Sequence, residues 1–135
     1  MSLKLMLKPH ERLIIGGAVV RNGGKTAELH VENTVPILRG KEILSQESAD
    51  SPCKRIYLAI QLMYIDEKNL SDYHAIYWEL VREVLAAAPS TTGIIDRINE
   101  LVLDGTYYQA LKKTKELLRY EEELLSHARE SLQHV

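Results

Sequence analysis

KEILSQESADSPCKRIYLAIQLMY, residues 41–64, holds the point at which the chain changes its period. Ser45 to Pro52 is polar and reads as a linker. Ser51-Pro52 pairs an N-cap residue, whose hydroxyl accepts a backbone N–H, with a residue whose missing N–H costs nothing in a first helical turn. Beyond it, Ile56, Ala59, Ile60, Met63 and Tyr64 fall on one face at helical spacing. Ile56, Leu58, Ile60 and Leu62 of the same stretch also fit a strand, so the helix is read from the cap and the face together.

Upstream of this stretch the period is two. Leu3, Leu5 and Leu7 alternate with Lys4, Met6 and Lys8, a half-buried strand pattern. Leu13-Ile14-Ile15 is a second apolar run, ended by Gly16-Gly17, and Ala18-Val19-Val20 a third. Asn22-Gly23-Gly24 supplies residues that tolerate positive φ, and a tight hairpin turn is expected there. Ala27, Leu29 and Val31 alternate with Glu28, His30 and Glu32. Val35-Pro36-Ile37-Leu38 makes a fifth run whose Pro implies an edge or a bulge. Five short strands in about 40 residues form a small antiparallel sheet or barrel with little core of its own.

Downstream the pattern is helical to the end. Ser71 is expected to cap a helix from Asp72 to about Ala88, with Ile76, Leu80, Val84 and Leu85 or Ala87 inward, and Pro89 ends it. A third helix runs from Thr91 or Thr92 through Ile94, Ile95, Ile98, Leu101 and Val102, with Gly105 as its C-cap. Thr106 with Gln109 matches a capping box for a last helix from Tyr107. There Leu111, Leu118, Leu125 and Leu132 recur by sevens, beside Ala110, Leu117 and Leu124. Such a stripe packs on the chain's own helices or binds a partner helix. The expected architecture is therefore α+β: a β-rich part over residues 1–45, then a bundle of about four helices over residues 46–135.

Composition narrows the function. The 135 residues are 45% hydrophobic and 27% charged, as in an ordinary globular protein. Lysines interrupt what would have to be an apolar signal region at the start, and no run of about 18 apolar residues is present, so a cytoplasmic protein is expected. Cys53 is the only cysteine, which excludes an internal disulfide and a Cys-based zinc site. Residues 1–55 hold nine Lys/Arg against six Asp/Glu, and residues 56–135 hold eight against thirteen. A cationic front half is what a polyanion-facing surface requires.

No catalytic, metal or cofactor constellation is expected. Gly23-Gly24-Lys25-Thr26 lacks the upstream glycine of a phosphate-binding loop and reads as a turn. The five histidines are scattered. Cys53, flanked by Lys54 and Arg55, reads as packed rather than reactive. Glu121-Glu122-Glu123 splay around a helix and read as a solvated face. What remains is a surface. Lys4 and Lys8 flank Met6 on the first strand, and Arg39 and Lys41 follow the fifth. If these two strands lie together, the cations form one basic edge for RNA phosphates, with strand-edge backbone groups free to read unpaired bases. The plainer reading is a row of solubilising charges guarding a sheet edge.

The segments SLKLMLKPHERLIIGGAVVRNG, VPILRGKEIL, RIYLAIQLMYIDE and TYYQALKKTKELLRYEEELL, in that order, resemble the FlbT family of bacterial flagellar regulators over nearly the whole chain. The resemblance implies post-transcriptional repression: association with the 5′ untranslated region of flagellin mRNA and promotion of its degradation, alongside a second regulator, FlaF. The first 45 residues also resemble the carbon storage regulator CsrA. Glu11-Arg12-Leu13-Ile14-Ile15-Gly16 is similar to its G-E-x-L-x-I-G segment and Ile37–Ile43 to its V-H-R-E-E-I strand. That family is five-stranded, binds mRNA and dimerises by strand exchange, and its first and fifth strands form the RNA site. Lys8 and Arg39 stand at its basic positions. His10 replaces its glycine, the first strand has fewer arginines, and Gly40 adds a residue. With Lys4, Met6 and Lys41 of the basic edge, the expected RNA-binding set is Lys4, Met6, Lys8, Arg39 and Lys41, in a homodimer. The alternative is a protein-binding adaptor that docks FlaF, flagellin or a flagellar chaperone through Leu111, Leu118 and Leu125.

Overall fold

The computed structural model describes residues 2–133. The chain divides into two compact units, one up to Leu44 and one from Ser45 onward. The first contains β1 (Leu3–Leu7), β2 (Arg12–Ile15), β3 (Ala18–Arg21), β4 (Ala27–Val31) and β5 (Ile37–Arg39), followed by a 3₁₀ turn at Gly40–Glu42. The second contains α1 (Pro52–Ile65), α2 (Leu70–Ala87), α3 (Thr92–Leu103) and α4 (Tyr107–Gln133). The expected α+β plan holds, but the strands form two antiparallel sheets rather than one.

In the first sheet β1 pairs with β4, Leu5 opposite Leu29. In the second the order is β3-β2-β5. The first and fifth strands are therefore not neighbours, which corrects the basic edge expected from their pairing. The hairpin turn also lies elsewhere. Gly16 and Gly17, with φ of 55° and 90°, form the two-residue loop between β2 and β3. Glycine adopts this left-handed backbone without a Cβ clash, which is what a tight primed turn requires. Asn22 instead fastens the segments around it. Its Nδ2 donates to the carbonyls of Lys8 and Lys25, each at 2.8 Å. The β3 and β4 strands belong to different sheets.

The core of the β unit is small. Leu5, Leu7 and Leu13 are buried together, with Ile15, Ala27, Leu29, Val31 and Ile37 half-buried around them. β3 is exposed throughout. Pro36 precedes β5 rather than interrupting it, and its carbonyl accepts the Gly16 N–H at 2.9 Å.

The helical unit is packed more densely. Ser51 caps α1 as its sequence requires: the hydroxyl accepts the Lys54 N–H at 3.2 Å, and Pro52 occupies the first helical position. Ile56, Ala59, Ile60 and Met63 are buried on the expected face. α2 begins at Leu70, just after Asn69, so Ser71 lies inside the helix rather than capping it. Its inward face is Tyr77, Leu80, Val81 and Val84. Ile76 is half exposed, because the stripe is turned by one residue so that Tyr77 can bury its ring and donate its O–H to Asn99 Oδ1 at 2.6 Å. Ile95, Ile98 and Val102 of α3 complete this core with Ala110, Leu111 and Leu117 of α4. Gly105, at φ 73°, stops α3: its N–H reaches the Val102 carbonyl, and the Thr106 N–H reaches that of Leu101. This double bond pattern is a Schellman end.

Candidate nucleic-acid interface

The cations named from the sequence divide into fastened and free. Lys4 Nζ lies 2.8 Å from Glu28, whose carboxyl is held below its ordinary range by that bond and by one from His30. Arg39 is more firmly held. Its Nε and Nη2 donate to the two oxygens of Glu11 at 3.0 and 3.1 Å, a two-pronged pairing, and Nη2 also donates to the Met6 carbonyl. The Arg39 bond holds the Glu11 carboxyl below its ordinary value, and the Lys8 N–H donating at 2.9 Å adds to this. The Arg39 N–H donates to Glu42 Oε1 at 2.9 Å. Arg39 and Met6 are thus brought together although their strands do not pair, and Arg39 ties β5 to the segment between β1 and β2. Lys8 and Lys41 are exposed, and Met6 is 49% exposed.

His10 has φ of 64°, the left-handed conformation. The backbone there favours a residue without a Cβ, so His10 is held at some strain. The His10 N–H donates to the Gly23 carbonyl at 2.9 Å, which holds the turn.

Arg12 and Arg21 were not singled out from the sequence. They stand directly opposite each other on β2 and β3, both exposed. The signal was legible: once Gly16-Gly17 is taken as the turn, Ile15 must face Ala18, and counting outward sets Arg12 against Arg21.

In the helical unit the leucine stripe of α4 changes character along its length. Leu111 is buried in the chain's own core, so it is not available to a partner. Leu118 is half-buried, Leu125 is 47% exposed and Leu132 76%. Glu122 to Leu132 are all exposed. The acidic run is not uniformly solvated. The Glu121 carboxylate accepts the Ser51 O–H and the Cys53 N–H and so closes the N-terminus of α1. Negative charge is stabilising at that end of a helix. Burial first, and then Glu121, push the Cys53 thiol up to about 12, which suits a packed side chain.

Half-buried aromatic groups gather where α1, α2 and α4 meet. The Tyr64 and Tyr108 rings are 5.7 Å apart, Lys112 lies 5.0 Å over Tyr108, and His74 is 3.1 Å from the Tyr107 hydroxyl. No group of His, Cys, Asp and Glu among the described residues could hold a metal ion. No helix of the described residues is long and apolar enough to cross a membrane.

Fold and surface define a small two-unit α+β protein with a cationic sheet and one long, partly bare helix. The chain belongs to the FlbT family: the family described as "Flagellar protein FlbT" matches residues 3–125. It is 46% identical to the "Probable flagellum biosynthesis repressor protein FlbT 1" of Bradyrhizobium diazoefficiens, over 92% of this chain and 85% of that one. The similarity to the Rhodopseudomonas palustris protein of the corresponding name is 38%, over 93% and 99%. To the "Flagellum biosynthesis repressor protein FlbT" of Caulobacter vibrioides it is 32%, over 94% and 92%. No solved structure matches the chain.

Proposed function

We propose that this chain is a cytoplasmic repressor of flagellum biosynthesis that acts after transcription. It associates through its β unit with the 5′ untranslated region of flagellin mRNA and promotes the message's degradation or blocks its translation. Family membership supplies the flagellar setting. The observation that carries RNA contact is the surplus of exposed cations on the β unit, including Lys8 and Lys41. Composition supports one style of recognition. All seven tyrosines and Trp78 lie beyond Ser45, and the chain has no Phe. The β unit therefore offers only the rings of His10 and His30 for bases to stack on, and would rely mainly on phosphate contacts and open strand edges.

Titration of the protein with a flagellin leader RNA over a salt series tests this. Binding tighter than to a scrambled RNA is expected, and equal binding would remove sequence recognition. The paired substitution Lys8→Ala/Lys41→Ala should weaken binding. Arg39 is a poor probe, because losing it also strips Glu11 of its partner.

A second reading is favoured by the bare stretch of α4. Leu118, Leu125 and Leu132 can dock FlaF, flagellin, a flagellar chaperone or a second copy of the chain, with the effect on mRNA indirect. A Leu125→Asp/Leu132→Asp variant keeps the buried part of α4. Loss of a co-purified partner or of the dimer, with leader RNA binding intact, supports this reading.

A further inference from the structure

The geometry points to a phosphate-binding row across the three-stranded sheet, formed by Arg21 on β3, Arg12 on β2 and Lys41 just past β5, that takes the backbone of single-stranded RNA. It rests on the RNA reading above and names a contact set that the sequence did not single out.

The row follows from register. The Gly16-Gly17 turn sets Ile15 opposite Ala18 and therefore Arg12 opposite Arg21. Residues directly opposite on antiparallel strands have Cβ atoms about 5 Å apart, and like charges there oppose pairing. Both arginines are exposed, and neither has an ion-pair partner among the described residues. The nearby acids are engaged: Glu11 holds the Arg39 side chain and Glu42 its N–H. Two arginines at directly opposed positions, each ending in a planar fork of N–H donors, suit a phosphate group.

At the β5 end the row meets a close backbone approach. Leu13 pairs with Arg39, so Gly40 comes next to Arg12, and a Cβ on Gly40 would sit 3.3 Å from the Arg12 carbonyl. The third place in the row is bare backbone, and the exposed Lys41 follows it. From β3 to β5 the sheet spans about 10 Å. Val19 is 69% exposed and, by the alternation of the strand, shares a face with Arg21. It offers an apolar contact for a base whose phosphate the arginine holds.

The test compares wild type with Arg12→Thr/Arg21→Thr and with Arg12→Glu. Threonine suits an exposed strand and removes the repulsion, and a carboxylate at position 12 would face Arg21 as an ion pair. Each variant should keep or raise the thermal midpoint. Each should also bind leader RNA at least tenfold more weakly. For the threonine variant the slope of log affinity against log salt should fall by about 1.4, the value for two phosphate contacts on a single strand. Arms with inorganic phosphate and with vesicles rich in anionic lipid separate the sources of phosphate. If the row serves vesicles while RNA binding is unchanged, the RNA assignment is overturned. Unaltered RNA affinity and slope in variants that remain folded overturn the row alone. Absence of RNA binding by the wild-type protein overturns both the row and the reading beneath it.

Discussion

The two units solve the problem of stability differently. The helical unit buries Ile56, Ile60, Met63, Tyr77, Ile95, Ile98 and Leu117 almost completely, and its polar contacts close helix ends. The β unit buries fewer side chains, Leu5, Leu7, Leu13, Ile14 and Leu38, and is tied by directional contacts: the Arg39–Glu11 pair, the Asn22 amide and two glycines at positive φ. A unit with a small core depends on turns and ion pairs to fix its register, and its exposed strands remain open to other molecules. The contrast is also spectroscopic, since the single tryptophan, Trp78, lies in the helical unit.

The largest effect is expected in the dense core. Leu117→Ala should lower helical-unit stability by about 2–5 kcal/mol, read from the urea midpoint of Trp78 fluorescence. A loss below about 1 kcal/mol would mean that this packing is looser than the burial of Leu117 implies. Glu121→Ala comes next. Removing the acceptor of two hydrogen bonds at a charged group should cost about 1.5–3 kcal/mol by the same signal, with Ser51→Ala nearer 1 kcal/mol. In the β unit, Gly16→Ala forces a Cβ into the left-handed region. A cost of about 1–2 kcal/mol is expected, read from the backbone amide signals of Leu13 and Val20.

Acid sharpens the comparison further. The folded Glu11 carboxyl lies below its ordinary 4.5, chiefly through Arg39. Its contribution is therefore present above that value and is lost as pH falls through the folded value. Acid titration of the β-unit amides should show this loss, and Glu11→Gln should flatten it. An unchanged profile would show that the pair adds nothing there. The smallest effect is at His10. Glycine would relieve the left-handed backbone but free the unfolded chain, so His10→Gly should stabilise by no more than about 1 kcal/mol.

Local signals carried most of the architecture. The Ser51-Pro52 cap, the stop at Gly105 and the alternation of β1 and β4 are each decided within a few residues, and the structure has them. Choices between distant partners were not legible. Nothing in β5 itself says that it pairs with β2 rather than β1, and Asn22-Gly23-Gly24 looks as much like a hairpin turn as Gly16-Gly17 does. Ile76 gave way to Tyr77 because a buried ring with a partner for its hydroxyl outweighs simple spacing. The site shows the same division. Lys8 and Lys41 are exposed as expected, whereas the engagement of Lys4 and Arg39 depends on acids brought from elsewhere in the fold.

The two-glycine turn also works as a ruler. Because the loop has two residues, every position on β2 is addressed by its distance from the tip, and its opposite number on β3 follows by reflection. A single inserted residue on one arm would turn every side chain beyond it through the sheet, sending Arg12 towards the leucine cluster and Leu13 away from it. A hairpin measured in this way tolerates changes of side chain at Ala18 or Val19 far better than changes of length. Its arms are free to alter what they present, but not how many residues they use to present it.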